Sequence, residues 1–261
     1  ETDEAMEHLR RRYKALITMT DKHFGRFINK LKEANMYEDT LIILTTDHGY
    51  CFGEREYIGK SYMPAYNELA NIPLLVHLPN QKGKGKAYKQ ITQNIDLMPT
   101  ILDYQEINIP TSVVGKSLRT IIEEDKPIQE YALYGTYGCS VNIYDGQYTY
   151  MRGGRDQSQC YEYTTSLTTI RNWLGKEKGE NIEMGRFLPR TNMPMYKVPS
   201  SPAALVKDTC FVKYWSFCLI YHVIMNRRKK CNDPEIIKKM ENLMIKAMKE
   251  NESAPRTITK D

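Results

Sequence analysis

The stretch 40-TLIILTTDHGYCFGEREYIGKSYMPAYNELANIPLLVHLP-79 decides how this chain is read. Leu41, Ile42, Ile43 and Leu44 form a continuous apolar run of the kind that makes a strand buried on both faces of an α/β sheet. The run then meets an acid, an imidazole and a glycine. Adjacent residues on a strand point to opposite sides, but at its exit the backbone turns and Asp47 and His48 can converge on one point. In open α/β sheets ligands bind at the carboxyl ends of strands, and a carboxylate beside an imidazole is half of a divalent-metal site. Gly49 lets the chain turn away without steric cost. Taken alone, Asp-His-Gly also fits a plain turn, with Asp47 as its cap and His48 as a polar loop residue.

Upstream, apolar residues recur at Leu9, Tyr13, Leu16, Ile17, Phe24, Phe27, Ile28 and Leu31, three and four apart, which predicts one long amphipathic helix from Glu4 to Ala34, bent at Gly25. Downstream, IPLLVHLP (72–79) predicts a second strand, followed by a loop rich in Gly and Lys. NIDLMPTILDYQEI predicts a helix entered through Asp96 with Pro99 in its first turn, and NIPTSVVGKSL a connecting loop. From about residue 128 the pattern changes to short alternating runs rich in Tyr, Val and Thr, with Asp145-Gly146 as a hairpin turn. That predicts an antiparallel sheet. The alternating tyrosines are expected to pack within it. In NDPEIIKKMENLMIKAMKEN, Asp233 is an N-cap, Pro234 sits at N1, and Ile237, Met240, Leu243, Met244, Ala247 and Met248 form a stripe. This last helix is expected to cover one face of the small sheet. Two domains are therefore expected, residues 1–127 and 128–261.

The chain has 261 residues, 41% hydrophobic and 26% charged, enough for one substantial core and a small second subdomain. Its net charge of +5 is scattered, so no nucleic-acid stripe is expected. Six dispersed cysteines with no C-x-x-C pair argue against a zinc ribbon or a disulfide scaffold. The most apolar stretch, FCLIYHVIM at 217–225, is too short to span a membrane. The first residues, ETDEAMEHLRRRY, are unlike a signal peptide, so the chain reads as soluble with its compartment unspecified.

The ordered series around Asp47-His48-Gly49 resembles the sulfatase branch of the alkaline-phosphatase superfamily. There a buried strand ends in Asp-His-Gly or Asp-Asn-Gly, followed by a Gly-Glu loop, a lysine, an acidic-apolar helix and a Pro-led strand. RRYKALITMTDKHFGRFINKLKEANMYEDT is similar to the family's preceding helix, and QNIDLMPTILDYQEINIPTSVVGKSL to its Asp-Leu-x-Pro-Thr helix and Gly-x-Ser-Leu loop. The resemblance implies an alkaline-phosphatase-like α/β sheet flanked by helices, here incomplete, with a small C-terminal subdomain of antiparallel sheet and closing helix. It implies a sulfuric ester hydrolase acting on a sulfated small molecule or saccharide. Asp47 and His48 would be ligands of a divalent cation, usually Ca2+, and Lys60 would bind the sulfate or steady the leaving oxygen. Glu54 and Arg55 would shape the loop, Glu68 would be a structural acid, and Arg152 and Arg155 would be candidates to line an anion pocket.

The family's nucleophile is a formylglycine made from the Cys or Ser of a Cys/Ser-x-Pro-x-Arg pentapeptide. None of the six cysteines has Pro at +2 with Arg at +4, and in SSPAA (200–204) Ala204 stands where Arg is required. Cys51 is expected to be a packed thiol. The expectation is a C-terminal portion of a longer sulfatase, inactive by itself. KYWSFCLIYHVIMNRRKK (213–230) departs from the family pattern, which suggests either a local frameshift or an element specific to this protein. The alternatives are a phosphonate or phosphodiester hydrolase of the same superfamily and a non-catalytic binding protein on this scaffold.

Overall fold

The computed structural model describes residues 2–60, 63–135, 140–152, 160–168, 181–188, 190–200, 219–224 and 227–251. By packing, the chain divides into two compact units, Glu1–Tyr88 and Lys89–Asp261. The expected boundary at 127/128 follows the change of sequence pattern, whereas this division follows contacts.

The first unit opens with α1 (Asp3–Glu33). Thr2 caps it by accepting from the Ala5 N–H, with Asp3 and Glu4 in the first turn and Lys30 and Lys32 in the last, charges that complement the helix dipole. The helix runs through Gly25 as one element. Its apolar stripe forms as the spacing predicts, but Met6 is its single buried residue, while Leu16, Ile17 and Phe27 are 55%, 53% and 50% exposed. Length explains this. Thirty-one residues extend about 45 Å, whereas the unit's strands have at most four residues, about 13 Å. Packing is concentrated at the helix's N-terminal end, where the Arg10 guanidinium donates to the Phe52 carbonyl at 2.7 Å and the Tyr13 ring lies 4.6 Å from that of Phe52.

Strand β1 (Ile42–Thr45) is the apolar run, but it is not buried on both faces as expected. Leu44 is 37% exposed. The partner of β1 is β4 (Leu74–His77), antiparallel, with Ile42 opposite His77 and Thr45 opposite Leu74. Among the described residues this is a two-stranded ladder, which has too few neighbours to cover two faces. Between them lie β2 (Cys51–Phe52), β3 (Ile58–Gly59) and α2 (Asn67–Ala70). Cys51, Met63, Ala65, Tyr66, Leu69 and Leu78 are the buried core here.

In the second unit a single 3-10 turn, Asn94–Asp96, leads into α3 (Leu97–Tyr104), with Pro99 in its first turn. Asp96 does not cap α3 with its side chain. Fully buried, its carboxylate accepts from the backbone N–H groups of Gln93 and Lys116 at 2.7 and 2.9 Å and from the Gln129 amide at 3.2 Å. It thereby ties its own turn to two distant segments. Sequence reasoning also missed α4 (Arg119–Glu124), which follows the connecting loop.

The antiparallel region appears as anticipated. Strands β5 (Ala132–Gly135), β6 (Val141–Tyr144), β7 (Tyr148–Arg152), β11 (Leu219–Ile224) and β12 (Arg227–Lys230) make one sheet in the order β12-β11-β7-β6-β5. The segment 213–230, which departs from the family pattern, thus supplies two strands. At the β6–β7 turn Gly146 takes φ +95°, open to glycine, and the Asp145 carboxylate accepts from the N–H groups of Gln147 and Tyr148. Helix α5 (Pro234–Glu250), capped by Asp233, covers the sheet. Met240, Met244, Ala247 and Met248 meet Ile143 and Tyr150 in the core, with Tyr131 and Tyr148 packed against it. Each of the Met and Ile side chains contributes about 1.5–3 kcal/mol on burial. A separate sheet joins β8 (Cys160–Thr164), β9 (Glu183–Gly185) and β10 (Met195–Ser200), with β10 central.

Candidate active site

The site is built where β1 ends. Asp47 and His48 leave the strand together, and Gly49 brings the backbone against α2. There the Gly49 N–H donates to the Leu69 carbonyl at 2.9 Å. A Cβ at position 49 would lie 1.8 Å from the Glu68 carbonyl oxygen. Glycine is required here by close approach rather than by a turn, which sharpens the reason given by the sequence. Glu68 contributes through its backbone.

The β2–β3 hairpin explains the distance in sequence from His48 to Lys60. Cys51 pairs with Gly59 and Phe52 with Ile58, so one further step along the ladder brings Lys60 back beside the start of the hairpin. The turn at its tip is shaped by Glu54, whose carboxylate accepts from the Phe52 N–H, and by the Gly53 N–H donating to the Tyr57 carbonyl at 2.9 Å. The side chain of Arg55 and all of Arg155 lie outside the described residues. Arg152 is half-buried on β7. Cys51 is fully buried and in no disulfide, as a packing residue would be.

Three sequence-predicted residues come together. The Lys60 ammonium lies 2.5 Å from His48 Nε2, and Asp47 Oδ2 lies 3.3 Å from the same nitrogen. His48 Nδ1 is 2.8 Å from the Gly49 carbonyl oxygen. A carbonyl can only accept and an ammonium can only donate, so Nδ1 carries the proton and Nε2 presents its lone pair. The Gly49 carbonyl therefore locks the tautomer that a cation requires, the outer-shell role usual for metal-binding imidazoles. A carboxylate oxygen and an imidazole lone pair this close repel one another unless positive charge lies between them. Two donor atoms 3.3 Å apart fit part of a cation's shell.

Asp47 is mostly exposed and stays ionised. Partial burial raises its pKa, but the His48 charge when protonated and hydrogen bonds from the His48 N–H and the Thr46 hydroxyl outweigh it and hold the carboxyl below its ordinary value. Sequence reasoning missed the Thr46 hydroxyl and the Gly49 carbonyl. The signal for the first was a Thr directly before the acid; nothing in the residue types marks the second. Among the described residues no group of three or more His, Cys, Asp or Glu gathers as a metal site, so Asp47 and His48 stand as a pair. Among them, too, no helix is long and apolar enough to cross a membrane.

A strand exit carrying carboxylate, imidazole and lysine on an α/β frame is the arrangement to be set beside known proteins. The family model for Sulfatase matches residues 1–107. The chain is 30% identical over 115 residues to the N-acetylglucosamine-6-O-sulfatase of Bacteroides thetaiotaomicron, covering 44% of this chain and 20% of that protein. It is 34% identical over 145 residues to an arylsulfatase of Clostridium perfringens, covering 54% and 30%. Among solved structures, the phosphonate monoester hydrolase SpPMH from Silicibacter pomeroyi superposes with a TM-score of 0.54 at 29% identity, over 58% of this chain and 34% of that one. Residues 1–107 are thus similar to the sulfatase family, and the α/β fold is of the type seen in the phosphonate monoester hydrolase. The chain spans 20% to 34% of the length of these relatives.

Proposed function

We propose that this chain is the part of a sulfuric ester hydrolase that holds one side of a divalent cation, Ca2+ in the first instance, and the lysine that receives the sulfate. The observation that supports it is the convergence of Asp47 Oδ2, His48 Nε2 and Lys60 Nζ at one strand exit. The calcium, when bound, would supply charge that offsets the sulfuryl oxygens. The nucleophile would be a formylglycine from sequence outside these 261 residues, since no pentapeptide for it occurs here.

The chain's own residues do the rest. Asp47 offers a hard oxygen and His48 a nitrogen already in the right tautomer. The Lys60 side chain is exposed and would turn away from Nε2 if Asp47 and His48 held a cation. The ammonium then finds its partner in the substrate's sulfate or in the departing ester oxygen, where a compact point charge is effective. Two ligands alone hold calcium weakly, because it takes six to eight oxygens. Turnover of an aryl sulfate by the chain alone is therefore expected to be absent.

Titrating the full chain with calcium while following the His48 ring nitrogens by NMR tests the cation site. A shift confined to Nε2, lost in Asp47→Ala, is expected; an Nε2 signal indifferent to millimolar calcium would overturn it. To test the reaction, residues 1–107 are grafted into the Clostridium arylsulfatase in place of its matched segment. The chimera is expected to hydrolyse 4-nitrophenyl sulfate, and Lys60→Ala to lower kcat by at least a hundredfold. The likeness to the phosphonate monoester hydrolase supports a second reading, in which a phosphonate ester takes the same place. A chimera that cleaves a phenylphosphonate monoester in preference to the sulfate would select it.

A further inference from the structure

The three-stranded sheet of the second unit carries a group of side chains that the proposed site does not use. One row across the sheet reads Glu183 on β9, Lys197 on β10 and Tyr163 on β8, because Lys197 pairs with both neighbours. These three therefore stand on the same face. Tyr161 joins them, two residues before Tyr163, and the Phe187 ring folds over Gly185, where a Cβ would meet it at 2.8 Å. The Lys197 ammonium is 4.3 Å from the centre of the Tyr161 ring and 5.9 Å from that of Phe187. Tyr163 and Phe187 are 5.5 Å apart. Lys197 also bonds the Glu183 carboxylate at 3.0 Å.

Two properties of this row point to its ligand. Tyr163 is 48% exposed and Glu183 59% exposed at its side chain, so a part-exposed ring and a part-exposed carboxylate lie across about 10 Å, two strand spacings. Also, the ammonium and the carboxylate cancel. The row offers no net charge to attract a sulfate, but it offers a donor and an acceptor flush with aromatic rings. A hexose has that complementarity, with C–H groups on its face to lie on a ring and hydroxyls at its edge to bond an acid and an ammonium. An apolar peptide would leave the ion pair desolvated and unused.

We propose that Tyr163, Phe187, Glu183 and Lys197 form a subsite for an uncharged hexose unit of a glycan, separate from the residues that receive the sulfate. The Tyr163 ring stacks on the sugar, and Glu183 and Lys197 bond its hydroxyls. The proposal does not depend on the Asp47-His48-Lys60 assignment, so either can fail alone.

The test is binding of the β-1,4-linked trisaccharide of N-acetylglucosamine, and of its 6-sulfated form, to the full chain, followed by NMR and by tyrosine fluorescence. Expected are millimolar-range binding of the unsulfated sugar with little dependence on salt, binding of the 6-sulfated form that is no weaker, at least fivefold weakening for the unsulfated sugar in Tyr163→Ala and in Glu183→Gln, and near-full binding in Tyr163→Phe. Circular dichroism confirms that each variant keeps its sheet. Absence of binding by the unsulfated sugar, binding of that sugar that follows salt, or equal affinity for it in Tyr163→Ala and the parent chain would each overturn the proposal.

Discussion

Gly49→Ala is the sharpest single perturbation of the candidate site, because its cost follows from one distance. The added methyl would stand 1.8 Å from the Glu68 carbonyl oxygen and 2.9 Å from its carbon, both backbone atoms. An ordinary carbon–oxygen contact is about 3.3 Å, so β1's exit and α2 must separate by roughly 1.5 Å. That breaks the Gly49–Leu69 hydrogen bond, leaving buried groups unmet at about 1–3 kcal/mol, and adds overpacking strain of about 1–3 kcal/mol. The expected loss is about 2–6 kcal/mol, a large part of a typical domain stability of about 5–15 kcal/mol. It also moves the carbonyl that fixes the His48 tautomer. Because the chain has two compact units, unfolding need not be two-state, and a local probe is required. Cys51 supplies it, being fully buried two residues away. Alkylation rates resolved by peptide mass spectrometry should rise at least thirtyfold at Cys51 in the variant and stay unchanged at Cys231. Gly25→Ala is the control: nothing lies within 4 Å of its added methyl, and in a helix interior the change should stabilise by about 0.5–1 kcal/mol. A Gly49→Ala chain with wild-type protection of Cys51 would refute the close-approach argument.

Asp145 has a carboxyl held below its ordinary value. Burial raises it, and the Lys239 hydrogen bond with the N–H groups of Tyr148 and Gln147 more than offsets that. A lowered folded-state pKa contributes stability that is full above the unfolded value, about 3.9, and is lost as pH falls through the folded one. The urea midpoint of the second unit should therefore drop on acidification below about pH 4, and Asp145→Asn should flatten that drop. Met240 is fully buried at the centre of the α5 stripe, so Met240→Ala should cost about 2–5 kcal/mol in a denaturant titration read by far-ultraviolet dichroism. The uncovered stripe of α1 should make the isolated chain bind an apolar dye and self-associate with concentration, and Leu16→Gln with Ile17→Gln should reduce both in light scattering and fluorescence.

Elements whose residues specify their own neighbours are legible in the amino-acid order. The Asp233 cap, Pro234 and the methionine spacing define α5 and its inner face locally, and Asp145-Gly146 defines its hairpin through one positive φ. Features that depend on other parts of the chain are not legible in this way. The stripe of α1 is periodic whether or not anything lies against it, so spacing could not reveal that most of it stays open. Likewise Leu41–Leu44 has the composition of a strand buried on both faces, but burial depends on how many strands stand beside it. Asp96 sits where a helix cap belongs, and its actual partners come from residues 93, 116 and 129.

Residue types alone establish the chemistry on offer: a carboxylate, an imidazole and a lysine around a glycine, in an order similar to that of one enzyme family. They set which atoms can donate, accept or carry charge, and those capacities do not change on folding. Folding adds that the β2–β3 hairpin returns Lys60 to His48, that the Gly49 carbonyl selects the imidazole tautomer, and that Glu183, Lys197 and Tyr163 share a row. Each of these depends on two segments meeting at a distance, and that is set by strand register and close backbone contact rather than by any residue's own preference.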